Sequence, residues 1–264
     1  RMVEHPDINK IAFTGSTGVG RGIAAGAAQT IKPVTLELGG KSASVVFADA
    51  DIEKAAAAAP SAVFDNAGQD CCARSRILVE SSQVDNFLAA LEKAVKAMRV
   101  GDPLDASTEM GPLISASHRE KVGSFVTGEE VVAFRGSAPD GPGYWFPPTV
   151  LAPMSNSDRA SREEIFGPVA CVIPFDGEEE AIRIANDTEY GLSGSIWTRD
   201  GGRALRAARA IDTGVLSINS NSSVRVSTPF GGFKQSGIGR ELGPDALDHY
   251  TEVKNVFYST EVTD

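Results

Sequence analysis

The feature that most limits what this chain can fold into is the alternation of short apolar runs with amphipathic ones. Residues 169–175, 192–198 and 215–219 read as buried strands, and 178–188 and 201–211 between them read as helices. Strands separated by helices cannot pair as hairpins, so each crossover returns to form a parallel pair, and such a sheet needs helices to cover it. The first half repeats the pattern. Ile11 to Thr14 reads as a strand, followed by glycine-bounded residues 15–20 and an Ala-rich helix to about residue 29. A strand is expected at 44–47, an Ala-rich helix at 51–64, a strand at 77–79 and a helix at 83–98. Val84, Phe87, Leu88, Leu91 and Val95 give that last helix one apolar stripe. The expectation is an α/β chain with a largely parallel sheet. Residues 127–143, rich in Gly, Pro and acids, suggest hairpins and surface loops, and 250–258 alternates as a strand does.

Charge narrows the partners. Lys plus Arg number 25 against 35 Asp plus Glu, a formal net charge of −10 over 264 residues. Nucleic acid and anionic membrane surfaces both need a basic face, so neither is expected as a partner. Three cysteines without zinc-type spacing point to a reducing compartment, with the cytoplasm as the default. No apolar run is long enough to span a membrane and the first residues lack a signal-peptide layout, so no membrane association is expected. No metal site is expected either.

Three stretches carry chemistry. Residues 68–75, Gly-Gln-Asp-Cys-Cys-Ala-Arg-Ser, form an irregular link between an Ala-rich helix and a strand, and they present Cys71 and Cys72 among polar neighbours. Two small hydrophobes filling space is the bland reading, and a thiol nucleophile is the sharper one. A working thiol needs a base, and none of His5, His118 and His249 lies in a glycine-marked turn or beside another candidate group. Glu37 is the better base, an acid inside the apolar run Val-Thr-Leu-Glu-Leu that ends at Gly39 and Gly40. The strand, turn and helix around Gly15, Ser16 and Gly20 suit an anion at a helix N-terminus, although the pattern is neither the Gly-x-Gly-x-x-Gly fingerprint nor a Walker A loop. Glu164 and Phe166, in Arg-Glu-Glu-Ile-Phe-Gly-Pro, could accept ribose hydroxyls and pack on a nicotinamide, or could be a surface acid and a core ring.

Together, Leu-Glu-Leu-Gly-Gly-Lys at 36–41, Gly-Gln-x-Cys at 68–71, Phe-Thr-Gly-Ser-Thr-x-x-Gly at 13–20, Glu-x-Phe-Gly-Pro at 164–168 and Pro-Phe-Gly-Gly-x-Lys-x-Ser-Gly at 229–237 resemble the aldehyde dehydrogenase superfamily. The resemblance covers residues 11–256. It implies a three-layer catalytic domain with a largely parallel sheet at 40–240, the second half of a Rossmann-like cofactor domain at 1–39, and a tail at 241–264 with an oligomerisation strand. It implies Cys71 as nucleophile with Cys72 its neighbour, and Glu37 as general base. By the same resemblance Gly15, Ser16, Gly20, Leu38, Gly39, Glu164 and Phe166 lie at an NAD cofactor, with NADP not excluded. The function implied is NAD(P)-dependent oxidation of a small aldehyde to an acid through a cysteine thioester, in a homo-oligomer, a dimer or tetramer. A CoA-acylating relative is the neighbouring alternative, disfavoured by Glu37, and a catalytically silent fragment that only packs or assembles is the other. For the substrate, Asp70 hints at an aminoaldehyde and Arg225 at an acid semialdehyde.

Complete members of that family are nearly twice as long, and the half not matched here would hold part of the cofactor site. The expectation is an apolar face bordering 11–13 and 34–38, and unpaired Val253, Val256 and Phe257. The 264-residue chain is therefore predicted to self-associate and to bind NAD weakly. Sedimentation and an NAD titration check this, and a monomer with the NAD affinity of a complete enzyme would contradict it.

Overall fold

The computed structural model describes residues 1–126 and 132–260. In chain order its elements are β1 (Ile11–Thr14), α1 (Thr17–Ala28), β2 (Val34–Glu37), β3 (Ala43–Val46), α2 (Ile52–Phe64), β4 (Arg76–Glu80), α3 (Val84–Ala97) and α4 (Ala116–Gly123). There follow β5 (Val132–Arg135), β6 (Thr149–Leu151), α5 (Arg159–Arg162), β7 (Val169–Phe175), α6 (Gly177–Asn186), β8 (Tyr190–Gly191), β9 (Ser193–Trp197), α7 (Gly201–Ala210), β10 (Val215–Ile218), β11 (Phe233–Lys234) and β12 (Gly237–Ile238). The seven-stranded sheet runs β10-β9-β3-β4-β7-β6-β5, parallel except where β5 meets β6. A second sheet, β1-β2-β12, is parallel between β1 and β2 and antiparallel to β12.

The expected α/β alternation is present, and its helices form for local reasons. Asp51 caps α2 by accepting from the Lys54 N–H at 3.0 Å, and Ala55, Ala56, Ala59 and Val63 bury its inner face. In α3 the stripe reaches the core at Phe87, Leu91 and Val95, all at most 1 % exposed, while Val84 and Leu88 pack partly buried at its edge. The core lies between these helices and β3, β4 and β7, whose Val, Ile and Leu residues are buried on both faces, as a covered parallel sheet requires.

Strand order puts the candidate residues in one place. Gly15 and Ser16 follow the carboxyl end of β1, and Glu37 closes β2 with Leu38 after it. Gly39 and Gly40, the Cys71 loop, and Glu164 with Phe166 all precede strands of the large sheet, β3, β4 and β7 respectively. The site therefore sits between the carboxyl ends of the small sheet and the amino ends of the large one.

Three expectations differ from what is seen. Residues 251–260 form no strand; a short 3-10 segment, Pro244–Tyr250, is followed by chain without regular structure, with Val253, Val256, Phe257 and Tyr258 exposed. A lone strand has no partner for its ladder hydrogen bonds, and none pairs with it among the described residues. Second, Thr35, Leu36 and Leu38 do not border an exposed face: they are buried by α1 and by β12, so of the two strands expected there only β1 lies at an edge of its sheet. Third, of the expected hairpins, 127–131 lie outside the described residues, while Val132–Arg135 pairs with β6. Among the described residues no helix is long and apolar enough to cross a membrane.

Arg76 fastens β4 to its surroundings. It is 1 % exposed, and its guanidinium donates to the Lys41, Ile184 and Ala185 carbonyls and to Asn156 Oδ1 at 2.9–3.0 Å. Two of those carbonyls belong to the last turn of α6, where a cation also opposes the helix dipole. Arg76→Met should lower unfolding stability by about 3 kcal/mol or more, because it leaves buried acceptors unpaired. Urea denaturation measures this, and a loss below ~1 kcal/mol would contradict it.

Candidate active site

The nucleophile loop is shaped by backbone chirality. After α2 the chain turns through Asn66, Ala67 and Gly68 at φ of 52°, 56° and 69°, three consecutive left-handed residues. Gly68 is required twice over, since a Cβ there would also lie 2.2 Å from the Gly167 carbonyl oxygen. Gln69 braces the turn: its Nε2 donates to Asn66 O, and its Oε1 accepts from the Ile114 N–H at 3.0 Å. Asp70 Oδ1 accepts from the Cys72 N–H at 2.9 Å, closing an Asx turn around the thiol. Cys71 is half-buried, whereas Cys72 is 7 % exposed and Cys171, inside β7, is fully buried.

Gly39 and Gly40 allow two separate close approaches. A Cβ on Gly39 would stand 2.6 Å from Glu164 Oε2, and one on Gly40 would stand 2.5 Å from the Cys71 carbonyl oxygen. The Gly40 N–H donates to Glu164 Oε1 at 2.9 Å. Burial still holds the Glu164 carboxyl above its usual range, opposed by that N–H and by Lys121 and Lys41. Phe166 sits at φ 58°, and its carbonyl accepts from His118 Nε2, which fixes the tautomer with the proton on Nε2. The rings of Phe166 and His118 meet edge to face at 6.2 Å.

These groups line one cleft of about 430 Å³, in which Gly15, Ser16, Leu38, Gly39, Cys71, Glu164 and Phe166 come together with His118 and Lys121 of α4. Ser16 caps α1, accepting from the Val19 N–H, so the helix N-terminus opens at the cleft. Gly20 does not line this cleft: a Cβ there would be 2.5 Å from Leu38 Cδ2, so its use is to seat α1 against the strand. Lys121 escaped sequence reasoning, and His118, weighed there only as a base for the thiol and set aside, was not expected at this cleft, because both arrive on a helix distant in sequence. The serine cap at Ser115 was the only local sign that a helix would present them.

Glu37 faces away from this cleft. Its neighbour Leu38 lines the cleft wall, and successive side chains of an extended segment point to opposite sides. Glu37 is 6 % exposed, and its two carboxylate oxygens are buried with no hydrogen-bond partner among the described residues. Burial, then the Glu241 carboxylate, push its pKa up to about 7, against the pull of Arg240. The Cys71 thiol is held above its ordinary range, first by its hydrogen bond to Cys72, then by burial and the nearby Cys72 and Asp70 charges; the same hydrogen bond pulls Cys72 down.

A second cleft, of about 600 Å³, opens on the other flank of the loop, between Asp65, Asp70, Cys72 and Arg74 and the segment 219–224. Asp70 borders both clefts. Arg225 does not line it; Arg225 is exposed and donates to Ser222 Oγ and the Val224 carbonyl of its own loop. The arrangement is a thiol in a cleft at a helix N-terminus, its neighbour Cys72 in a second, polar cleft, and a buried carboxyl group poised near neutrality that lines neither.

Comparison with known proteins agrees. The family model described as "Aldehyde dehydrogenase family" matches residues 1–256, and the chain belongs to that family. It is 44 % identical over 260 residues to the geranial dehydrogenase of Castellaniella defragrans, covering 97 % of this chain and 54 % of that protein. It is 44 % identical over 271 residues to the betaine aldehyde dehydrogenase of Agrobacterium fabrum, covering 100 % and 55 %. Among solved structures, an NAD-dependent aldehyde dehydrogenase from Sinorhizobium meliloti superposes with a TM-score of 0.95 at 39 % identity, covering 100 % and 53 %. The betaine aldehyde dehydrogenase of Staphylococcus aureus in complex with NAD+ superposes with a TM-score of 0.90 at 41 % identity, covering 94 % and 51 %. The chain thus spans about half the length of the relatives it matches.

Cys71 is the thiol a mild alkylating agent should label first, since accessibility separates it from Cys72 and Cys171. Peptide mapping after partial labelling reads this directly, and dominant labelling of Cys72 or Cys171 would contradict it.

Proposed function

We propose that this chain carries the catalytic centre of a non-acylating, NAD(P)-dependent aldehyde dehydrogenase, with Cys71 as nucleophile and Glu37 as general base. The carrying observation is the pair itself: a half-buried thiol on a loop rigidified by Gly68 and Gln69, and a buried carboxyl with no partner whose pKa is pushed up to about 7.

The residues of the first cleft fit a dinucleotide. Gly39 leaves room for Glu164, whose carboxylate can accept ribose hydroxyls, Phe166 offers a partly exposed ring, and Ser16 with the α1 N-terminus suits a phosphate. NAD is the reading favoured by the S. aureus complex, with NADP the alternative. The cofactor, when bound, supplies the acceptor for the hydride lost from the aldehyde carbon.

The protein's own residues do the rest. Cys71 is held toward its thiol form, so its proton must leave as sulfur adds to the carbonyl carbon, and Glu37, near neutrality, takes it once its side chain turns from the far side of the strand end toward the thiol. The Cys71 backbone N–H has no partner among the described residues and can donate to the developing oxyanion, a contribution of roughly 2.7–4 kcal/mol at comparable sites. Once oxidised, the carbon is held as a thioester. Glu37 first passes the thiol's proton on to solvent and then takes a proton from water; the hydroxide adds to the thioester carbon, the carbon–sulfur bond breaks to release the acid, and the leaving thiolate takes the proton back from Glu37 to restore Cys71. CoA-acylating chemistry needs no such base, so Glu37 favours hydrolysis.

We further propose a homo-oligomer built through the exposed apolar tail, Val253 to Tyr258, and a cytoplasmic setting in which three free thiols persist. A silent fragment is the competing reading, and NAD binding to the purified chain separates the two.

In the complete enzyme Glu37→Gln should leave a burst of acyl-enzyme while slowing hydrolysis, since the amide fills the same space without accepting a proton. In the parent, hydrolysis should rise about tenfold between pH 6 and 8 as Glu37 loses its proton. Rapid-quench measurement of burst and steady state tests both, and parental turnover by the variant would remove Glu37 from this role.

A further inference from the structure

Two buried arginines stand two residues apart, and they are treated very differently. Arg76 is 1 % exposed and its guanidinium makes four hydrogen bonds to protein acceptors. Arg74 is 5 % exposed, and its guanidinium makes one, from Nη2 to Ser223 Oγ at 2.8 Å. Its Nε has no acceptor, and it joins no ion pair among the described residues. A guanidinium carries five N–H donors and cannot shed its charge, so Arg74 is desolvated without the acceptors that normally repay burial. Its backbone is pinned, the N–H donating to the Ala62 carbonyl of α2 at 2.9 Å.

Arg74 lines the second cleft, beside Cys72, Ser222 and Ser223. Lys54, Asp65 and Asp70 line it too, and all three are exposed; the Asp70 charge reaches Arg74 without a hydrogen bond or ion pair to it, and Asp70 already accepts from the Cys72 N–H. The buried, unpaired charge decides what the cleft lacks, and that is an anion with paired oxygens. We infer that Arg74 anchors a carboxylate at the far end of the substrate, so that the cleft takes short aldehydes bearing an acid group. Arg74 lies three positions along the chain from Cys71, which limits their Cα atoms to about 10 Å apart; Cys71 lines the first cleft, Arg74 the second, and Asp70 borders both, so a few methylenes between formyl and carboxyl carbons span from one to the other. Ser222 and Ser223 supply further donors beside the guanidinium. This assignment rests on the dehydrogenase reading for its chemistry and on Arg74 alone for its specificity.

The test is a panel of length-matched aldehydes on the complete enzyme: 5-oxopentanoate, pentanal and 4-(trimethylammonio)butanal. 5-Oxopentanoate should exceed pentanal at least tenfold in kcat/KM. Arg74→Gln should cut the ratio of acid to neutral substrate at least tenfold, mainly through KM, with Arg74→Lys in between. A preference for the ammonium aldehyde, no preference between acid and neutral substrates, or an equal loss for both in Arg74→Gln would each overturn the proposal. Glutarate serves as an unreactive probe: it should slow alkylation of Cys71 in the parent protein, and its monomethyl ester should do so less well. Should no aldehyde support NAD reduction, the dehydrogenase reading fails while glutarate still tests the anchor. Should Arg74→Gln not fold, the parent panel and glutarate protection decide, and absence of protection overturns the anchor.

Discussion

The close approach at Gly39 and Gly40 is the contact on which the rest of the site depends. Three segments far apart in sequence meet there: the end of β2, the nucleophile loop and the stretch ahead of β7. They meet because two consecutive residues have no side chain. Glu164 reaches the backbone at Gly39, and the Cys71 carbonyl rests against Gly40. Any Cβ at either position would push the candidate cofactor acid or the candidate nucleophile outward, in different directions. The glycines are thus defined by what lies opposite them, and the two have different partners.

Burial of charge separates scaffold from function. Arg76 shows what a structural buried cation looks like, with carbonyls and an amide arranged around it. Glu37, Lys41 and Arg74 are also buried, and each has polar atoms without partners among the described residues. Lys41 responds by lowering its pKa to about 8, chiefly through burial, and Glu37 by rising to about 7. Both can shed charge at modest cost near neutral pH. Arg74 cannot, which is why its isolation asks for an external partner.

Much of this was legible in the sequence because the informative signals were local. Periodicity placed the strands and helices, and the motifs around Glu37, Cys71 and Glu164 fell where the fold brings elements together. What was not legible depended on tertiary context. That Leu38 and Glu37 divide between two sides of one strand end follows from alternation, but which side meets which cleft does not. Arg74 and Arg76 look alike in a sequence, and only their acceptors distinguish them. The tail alternates as a strand should, yet pairing is a property of two segments, and among the described residues no second segment meets it. His118 and Lys121 belong to α4, whose placement against Phe166 no local pattern announces.

The left-handed turn before the nucleophile has a consequence for how such a chain could drift. Asn66 and Gly68 tolerate positive φ, but Ala67 at 56° does so against a steric penalty of roughly 1–2 kcal/mol. It is also 1 % exposed, so its methyl group is packed and holds the turn in place. A glycine there would relieve the backbone and empty the packing at once. A lineage under pressure only to stay folded has an easy route to a slacker loop, whereas one selected for turnover is held to the strained alanine. Position 67 is where those two histories would part.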